Sequence, residues 1–402
     1  METADFIQTY YRERKQTDSL KWDALKERYG NENLLPLWVA DMDFSAPSSV
    51  QEALKERIEH GIFGYSLVPE NYFSAYDGWQ KRHEQTSFQP EWLHFTSVVV
   101  QGLYDLITCF TEEGDQIIVQ PPVYYPFFDM IRDQKRQLVT SNLVETPSGY
   151  QMDLVHFERQ LIENDIKLFI LCSPHNPVGR VWSKEELKTI LSLCQKYGVL
   201  VISDEIHSDL ILTGKSFVSA VTVAKEADFL DQLIVCNAPS KTFNLASLLN
   251  AHIWLPGENL RKQYQKWESL HHHTGISVLG QVAAIAAYET GDDWLRDLLA
   301  IVEENYQLLQ RQLLNAIPEI KLSELQGTYL AWLDLRDWLS TEADVKNTVQ
   351  NQAKLAIDYG EWFSSETKGF IRINLATKSE NIQKAITNLI EVDRKLKGGN
   401  GE

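Results

Sequence analysis

Short apolar runs that alternate with helix-period segments, from about residue 115 to residue 241, constrain the fold most. The runs are DQIIVQPP, RQLVTSNLV, KLFILCSP, VLVISDEIH and QLIVCNAPS. Because they are apolar on both faces, they predict strands of a parallel sheet that helices cover on both sides. The alternation therefore predicts an α/β doubly wound domain.

The segment SKEELKTILSLCQKYG carries the signals of a complete helix. Ser183 is a favourable N-cap, and Glu186, three residues later, completes a capping box. Gly198 is a typical stop signal. We expect this helix to connect two strands of the sheet.

The chain of 402 residues is too long for one ordinary hydrophobic core. After about residue 285 the pattern changes to the helical segment WLRDLLAIVEENYQLLQRQLLNAI and the short alternating strands GTYLAWLDL and FIRINLA. We therefore predict a large α/β domain over residues 46–284. A smaller α+β domain is predicted from residues 1–45 and 285–402, because PLWVADMDF precedes the first strong helix pattern.

Charge and cysteine content exclude several classes of partner. The formal net charge of −18 argues against nucleic acid and anionic membranes, which bind basic surfaces. The start METADFIQTYYRERKQ has no apolar core of a signal peptide, and no run has the length of a membrane span. The scattered cysteines indicate reduced thiols and a cytoplasmic protein rather than disulfides or a zinc site; they are Cys109, Cys172, Cys194 and Cys236.

Three predicted strands end in polar residues that a core would not favour: Asn176, Asp204 and Lys241. Ligands of open parallel sheets bind at the carboxyl ends of the strands, so these side chains are expected along one edge. Each also has a simpler explanation. Asn176 lies between two prolines and suits a turn, Asp204 suits a helix cap, and a lysine at a strand end commonly extends into solvent.

An amine, a carboxylate and an amide at one edge suit pyridoxal phosphate chemistry. Lys241 would form a Schiff base with the aldehyde, and Asp204 would pair with the pyridine nitrogen. The amide of Asn176 would donate to the phenolate oxygen of the ring. A buried carboxylate needs a partner, and a pyridinium supplies one.

The motifs SPHNPVGRVW, SDEIH, APSKTFNLA and FIRINLA resemble those of class I/II aminotransferases of PLP fold type I. LPLWVADMDF narrows the resemblance to the MalY/PatB-like branch of cystathionine β-lyases and C–S lyases. The resemblance covers roughly residues 20–390. It implies a large domain with a mostly parallel seven-stranded sheet, a smaller α+β domain and bound pyridoxal 5'-phosphate.

The resemblance also implies roles for individual residues. Lys241 would carry the cofactor, and Tyr124 would stack on its ring and take part in catalysis. Arg372 would bind the α-carboxylate of an amino-acid substrate through two hydrogen bonds. Tyr65 would reach the cofactor phosphate of a neighbouring subunit, which implies a homodimer with shared active sites. The remaining expected cofactor contacts are Asp204, Asn176, His207, Val99, Val100 and Ser240, and the remaining substrate contacts are Trp38, Ala40 and Asp41.

The sequence departs from the family pattern at two positions. Val98 stands where glycine is common, although the backbone amides of Val99 and Val100 can still bind phosphate. Leu249 replaces the arginine that binds phosphate in aspartate aminotransferases. Because the lyase branch generally lacks that arginine, Leu249 favours a lyase over a transaminase, and His207 is likewise the lyase-branch form.

We therefore expect β-elimination from cystathionine, cysteine or another cysteine S-conjugate, giving a thiol or sulfide, pyruvate and ammonia. Two alternatives remain: an aminotransferase of aromatic or sulfur amino acids, and a regulatory protein that retains the cofactor. No metal site is expected, because the adjacent His271, His272 and His273 point in different directions on a helix.

Overall fold

The computed structural model describes residues 1–146, 149–272 and 277–398. These residues form two compact units. The large unit contains Ala46–His175 and Arg180–Leu295, and the small unit contains Met1–Ser45, Asn176–Gly179 and the residues from Arg296 onward. The boundary expected at residue 284 lies inside a continuous helix, Val278–Thr290, whereas the two units divide within the following helix.

The strands are short and follow the chain in this order: β1 (Leu35–Pro36), β2 (Leu93–Thr96), β3 (Gln116–Val119), β4 (Gln137–Thr140), β5 (Leu143–Thr146), β6 (Gly149–Met152), β7 (Ile166–Cys172), β8 (Leu200–Asp204), β9 (Leu233–Asn237), β10 (Ala251–Trp254), β11 (Lys321–Leu322), β12 (Leu330–Asp334), β13 (Leu355–Ala356), β14 (Asp358–Tyr359) and β15 (Phe370–Asn374).

The α-helices are α1 (Thr3–Tyr10), α2 (Leu20–Asp23), α3 (Leu25–Tyr29), α4 (Ser48–Glu59), α5 (Tyr72–His83), α6 (Val99–Phe110), α7 (Pro126–Asp133), α8 (Leu154–Glu163), α9 (Lys184–Tyr197), α10 (Ala220–Glu226), α11 (Pro239–Thr242), α12 (Glu258–Leu270), α13 (Val278–Thr290), α14 (Asp292–Leu308), α15 (Leu314–Ala316), α16 (Glu342–Val345) and α17 (Ser379–Gly398). Short 3-10 turns lie at Pro90–Trp92, Leu230–Gln232, Ala246–Leu248 and Gly360–Trp362, and wider π turns at Leu309–Leu313 and Lys346–Gln352.

The large unit is built on a seven-stranded sheet of order β2-β10-β9-β8-β7-β3-β4. Strands β9, β8, β7, β3 and β4 pair in parallel, whereas β10 is antiparallel to both of its neighbours. The predicted α/β fold with a mostly parallel sheet is therefore confirmed. Asp204 pairs with Cys172 on one side and Cys236 on the other, so the ends of β7, β8 and β9 lie level.

The core of the large unit lies between the sheet and its helices. Side chains from α6 and from five strands are buried in it, among them Leu103, Ile117, Leu168, Ile202 and Ile234. Helix α6 packs closely on the sheet at Gly102. A Cβ added there would lie 2.9 Å from Thr96 Cγ2 and 3.1 Å from Ile253 Cδ1, so the glycine sets how near α6 approaches.

Helix α9 has the ends that its sequence predicts. Ser183 accepts a hydrogen bond from the backbone N–H of Glu186, whose carboxylate accepts one from the backbone N–H of Ser183. Gly198 ends the helix in the left-handed conformation, at φ 69°. These caps satisfy terminal backbone groups and fix where β8 begins.

The small unit contains an antiparallel sheet of order β11-β12-β15-β14, and a short parallel pair of β1 and β13. Arg372 on β15 lies in register with Asp358 on β14 and with Trp332 on β12. All five residues of β15 are buried. The strand therefore carries two polar side chains, Arg372 and Asn374, into the interior of the small unit.

Three of the four cysteines, Cys172, Cys194 and Cys236, are buried, and Cys109 is half-buried; no disulfide joins any of them in the described chain. Burial raises the pKa of Cys109 to about 12 and raises the pKa of Cys194 and Cys236 as well. None of the helices in the described ranges combines the length and the apolar content that a bilayer crossing requires.

Candidate active site

Lys241 lies on a short helix that follows directly from a central strand. After β9, Ala238 is extended, and α11 begins at Pro239, whose missing N–H costs no hydrogen bond in a first helical turn. Lys241 is half-buried on this helix. The expected lysine is thus placed at the carboxyl end of the sheet.

Asp204 is the last residue of β8, the neighbour of β9. Its carboxylate accepts a hydrogen bond of 3.1 Å from the backbone N–H of Ile206, which makes a turn rather than the cap of a helix. Only 5% of the residue is exposed. Burial raises its pKa to about 7, against the opposite effects of the Ile206 bond and the Lys241 charge.

This pair fits the cofactor that the sequence predicts. A carboxylate so strongly affected by burial is stabilised by a cation placed against it, as the protonated nitrogen of pyridoxal phosphate would be. Lys241, whose amine can react with the aldehyde, lies on the helix that follows the neighbouring strand. Both groups therefore match the chemistry of pyridoxal phosphate.

The expected phosphate contacts lie at the start of α6. Val98 is extended, with φ −145°, so the turn needs no glycine, and Val99 and Val100 form the first helical residues. The first N–H groups of a helix lack acceptors within the helix and favour an anion. Leu249, at the position of the transaminase arginine, has a left-handed backbone and is 48% exposed.

The other expected cofactor contacts in the large unit lie on the same connections. His207 is buried in the turn after β8, where its carbonyl accepts from the backbone of Leu210. Ser240 lies on α11 beside Lys241. Tyr124 precedes α7 and is half-buried, with its ring centre 5.7 Å from that of Phe127, and it packs against the sheet core.

Arg372 is the centre of a separate polar group in the small unit. Its Nη1 donates to Asn176 Oδ1 at 2.7 Å, and its Nη2 donates to the carbonyl oxygen of Trp38 at 3.2 Å. Nη2 also donates to the carboxylate of Asp358, and the two groups form an ion pair. The residue is 4% exposed. Arg372, expected to bind the substrate carboxylate, and Asn176, expected to contact the cofactor ring, are thus hydrogen-bonded to each other.

The guanidinium retains an unused donor. Its Nε is buried and has no hydrogen-bond partner among the described residues. Buried donors are normally paired, so this one suits an additional acceptor such as a substrate carboxylate. Asp358 itself has a pKa that burial raises and that the charge of Arg372 lowers in part.

The other expected substrate contacts have structural partners. The indole N–H of Trp38 donates to Lys21 O at 3.0 Å, and the carbonyl of Ala40 accepts from the Tyr329 hydroxyl at 2.9 Å. The carboxylate of Asp41 accepts from Arg14 at 2.7 Å. Of these three residues, Trp38 is the one whose carbonyl oxygen accepts a described hydrogen bond from Arg372. The carboxylate of Asp41 is already engaged in an ion pair with Arg14.

Two remaining predictions concern surface residues. Tyr65 is fully exposed, in a segment with the exposed apolar residues Ile62, Phe63 and Leu67. His271 stacks on Trp267 at 4.2 Å, and His273 lies outside the described residues. Within the described residues, no group of three or more histidine, cysteine or carboxylate side chains is arranged to hold a metal ion.

Comparison with known proteins places this geometry in a family. Residues 33–389 match the family described as aminotransferase class I and II. The chain belongs to this family. Cystathionine beta-lyase PatB of Bacillus subtilis (strain 168) is 37% identical over 92% of this chain and 95% of its own length. Protein MalY of Escherichia coli (strain K12) is 30% identical over 94% of this chain and 96% of its own.

A solved structure extends the comparison. Cystalysin from Treponema denticola is described as containing a pyridoxal 5'-phosphate cofactor. Its structure matches that of this chain with a TM-score of 0.91 and 32% sequence identity. The match covers 96% of this chain and 98% of cystalysin. The predicted resemblance to PLP fold type I and to its C–S lyase branch is therefore confirmed.

Two acidic residues near the expected site residues are not evident from the sequence motifs. Asp358 pairs with Arg372, and Asp209 accepts hydrogen bonds from Trp79 and Thr242, the residue after Lys241. The signal for Asp358 is an acid within the apolar stretch KLAIDYG. Asp209 is separated from the motif SDEIH by Ser208. Its position is a weaker signal, because acidic residues are common in turns.

Proposed function

We propose that this chain is a pyridoxal-phosphate-dependent β-lyase that cleaves the C–S bond of cystathionine, cysteine or a related S-conjugate. The observation that carries the proposal is the placement of Lys241 and buried Asp204 at neighbouring strand ends. The 37% sequence identity to PatB, which is named a cystathionine beta-lyase, supports this reaction over transamination.

Residues of the large unit hold the cofactor in this proposal. Lys241 would hold its aldehyde, Asp204 would pair with its ring nitrogen, and the first amides of α6 would bind its phosphate. Tyr124, His207 and the hydroxyl of Ser240 complete its surroundings. The bound cofactor supplies an electron-accepting ring that stabilises negative charge at the substrate Cα.

Lys241 and Arg372 then divide the work on the substrate. Arg372 binds the α-carboxylate, using the Nε donor that has no other described partner. Lys241 Nζ would take the proton from the substrate Cα as a general base. Loss of the sulfur group from Cβ followed by addition of one water gives pyruvate, ammonia and a thiol. Tyr124 is the proposed donor of a proton to the departing sulfur.

Incubation of purified holoprotein with L-cystathionine tests the proposal. A lyase produces pyruvate and homocysteine in equal amounts without any added keto acid. A transaminase produces glutamate only when 2-oxoglutarate is present, and that result would overturn the proposal. A protein that binds the cofactor and does neither would be a binding protein instead. Lys241→Ala is the matched inactive control, because it removes the amine.

We further propose a homodimer in the cytoplasm. The exposed side chains of Ile62, Phe63, Tyr65 and Leu67 form an apolar segment of the kind that a second copy covers. Tyr65 would then reach the cofactor phosphate of the second copy. The buried thiols of Cys172, Cys194 and Cys236, which no disulfide joins in the described chain, are suited to a reducing compartment.

A further inference from the structure

Asp209 connects the lysine-bearing helix to the interior of the large unit. One carboxylate oxygen accepts from the Thr242 hydroxyl at 2.6 Å, and the other accepts from the Trp79 indole N–H at 2.7 Å. Thr242 is the last residue of α11 and follows Lys241 directly. Asp209 therefore holds the lysine-bearing helix α11 through a hydrogen bond to Thr242, the residue next to Lys241.

Helix α11 depends on such an anchor. It has four residues, and isolated helical turns are unstable because so few hydrogen bonds offset the ordering of the backbone. Its own backbone bonds include Phe243 N to Pro239 O at 3.0 Å, and the carbonyl of Ser240 accepts from Leu245 at 3.0 Å. Thr242 is 1% exposed, and a β-branched side chain has few rotamers. Its bond to Asp209 therefore restricts the rotation of α11.

The far end of this connection is rigid. Trp79 is fully buried; its ring stacks on His83 with centres 3.9 Å apart and lies 5.2 Å from the ring of Phe243. An indole packed in this way has little freedom to move. Asp209 thus links Thr242 to a fixed point of the core.

Glu84 lies close to the same acid and has no such support. It is 8% exposed, and both of its carboxylate oxygens lack hydrogen-bond partners of normal geometry within the described residues. Burial and the charges of Asp209 and Glu205 raise its pKa. Burial raises the pKa of Asp209 as well, and the bonds from Thr242 and Trp79 lower it in part, so these two donors favour its charged form.

We propose that Asp209 is a positioning residue for Lys241. By accepting hydrogen bonds from both Thr242 and Trp79, it fixes the direction in which the Lys241 side chain leaves α11. The inference rests on the proposed function only in assigning the chemistry to Lys241. It assigns to Asp209 no contact with substrate or cofactor.

Replacing Thr242 tests the connection at constant shape. Thr242→Val removes the hydroxyl and keeps the branched side chain, whereas Thr242→Ser keeps the hydroxyl. We expect Thr242→Val to lower kcat on cystathionine about ten- to a hundredfold, with KM changed less than about threefold, because misplacement of a reacting group affects the chemical step. Thr242→Ser and the wild type should be alike, and Asp209→Asn should resemble Thr242→Val.

A second measurement needs no amino-acid substrate. Cofactor-free protein is mixed with pyridoxal phosphate, and attachment to Lys241 is followed over time by borohydride trapping and mass spectrometry. Attachment should be about tenfold slower in Thr242→Val and Asp209→Asn than in Thr242→Ser. If wild-type protein attaches the cofactor but cleaves no substrate, the proposed function fails while the positioning role is still measured.

Loss of stability is controlled separately. Thr222→Val removes another threonine hydroxyl in the large unit, one that bonds the hydroxyl of Thr86. It should lower Tm without slowing attachment or turnover. Wild-type kcat and attachment rate in Thr242→Val, with only Tm reduced, would overturn the proposal and leave Asp209 a structural acid.

Discussion

The guanidinium of Arg372 and the carboxylate of Asp358 form an ion pair on adjacent antiparallel strands, with both side chains at most 5% exposed. The pair leaves the arginine oriented by a charge, by the amide of Asn176 and by the carbonyl of Trp38. An arginine held in this way meets a ligand without having to lose further rotational freedom.

Removal of Asp358 should destabilise the protein strongly. Asp358→Ala leaves a buried positive charge without its counter-charge, which costs about 3–5 kcal/mol of unfolding free energy. Asp358→Asn should cost less, because the amide oxygen still accepts a hydrogen bond. Urea unfolding monitored by tryptophan fluorescence measures both. The exposed pair of Asp337 and Lys321 is the control, and Asp337→Ala should cost less than about 1 kcal/mol. Equal costs for the two alanine variants would contradict the prediction.

Arg372→Lys should impair substrate binding more than turnover. Lysine keeps the charge but offers no planar fork for two hydrogen bonds to a carboxylate. We expect KM for cystathionine to rise at least about tenfold, with kcat reduced less, in steady-state kinetics. The matched variant is Arg336→Lys, which alters a partly exposed ion pair with Asp334 in the same small unit. An unchanged KM in Arg372→Lys would remove Arg372 from the substrate site.

Asp204 should make the stability of the cofactor-free protein depend on pH. Burial raises the pKa of Asp204 from 3.8 to about 7 and that of Glu205 from 4.5 to about 7. The folded protein therefore retains protons that the unfolded chain releases over this range. The stabilisation is complete below about pH 4 and is lost as pH rises towards 7. Thermal unfolding at a series of pH values measures this decline.

Asp204→Asn isolates the contribution of one carboxyl. The variant should show a shallower fall in Tm between pH 4 and pH 7, because it lacks one of the carboxyl groups whose pKa burial raises. It should also bind pyridoxal phosphate more weakly, since the ring nitrogen loses its counter-charge. Glu205→Gln serves as the comparison, because Glu205 accepts bonds from Ser203 and Ser219 and from the amide of Ala220. Identical pH profiles for wild type and Asp204→Asn would contradict the assignment.

Hybrid dimers should reveal whether Tyr65 acts on the neighbouring subunit. Lys241→Ala and Tyr65→Ala are each expected to be strongly impaired. After mixed refolding at equal amounts, half of the dimers are hybrids, and one of the two sites in each hybrid has both residues intact. Activity should therefore recover to about a quarter of the wild-type value. No recovery in hybrids isolated by two affinity tags would place Tyr65 in its own subunit's site or in none.

Much of the large unit could be predicted from local pattern. The runs that form β3, β7, β8 and β9 are apolar on both faces, as expected for buried parallel strands. The residues that cap α9 at both ends can be recognised from its sequence. The run RQLVTSNLV was harder to interpret, because it contains two strands. Its first half is β4 of the seven-stranded sheet, and its second half is β5, which pairs with β6 in a separate hairpin.

The contacts of the site depended on information that no local pattern contains. Asp358 and Arg372 are separated by fourteen positions, and it is the register of β14 with β15 that brings them together. Asp41 is a polar residue in a distinctive motif, yet its carboxylate is occupied by Arg14. Long-range pairing of charges decides such cases, and it follows from tertiary packing rather than from sequence spacing.

The buried cysteines have a consequence for an enzyme that liberates thiols. A thiol whose pKa is raised by burial contains little thiolate, the form that exchanges with disulfides. The protein is thereby resistant to exchange with the disulfides that form when molecular oxygen oxidises the thiols that its own turnover would release. The same inertness makes the wild-type background suitable for attaching a thiol-specific fluorophore to one cysteine introduced at the exposed position of Tyr65.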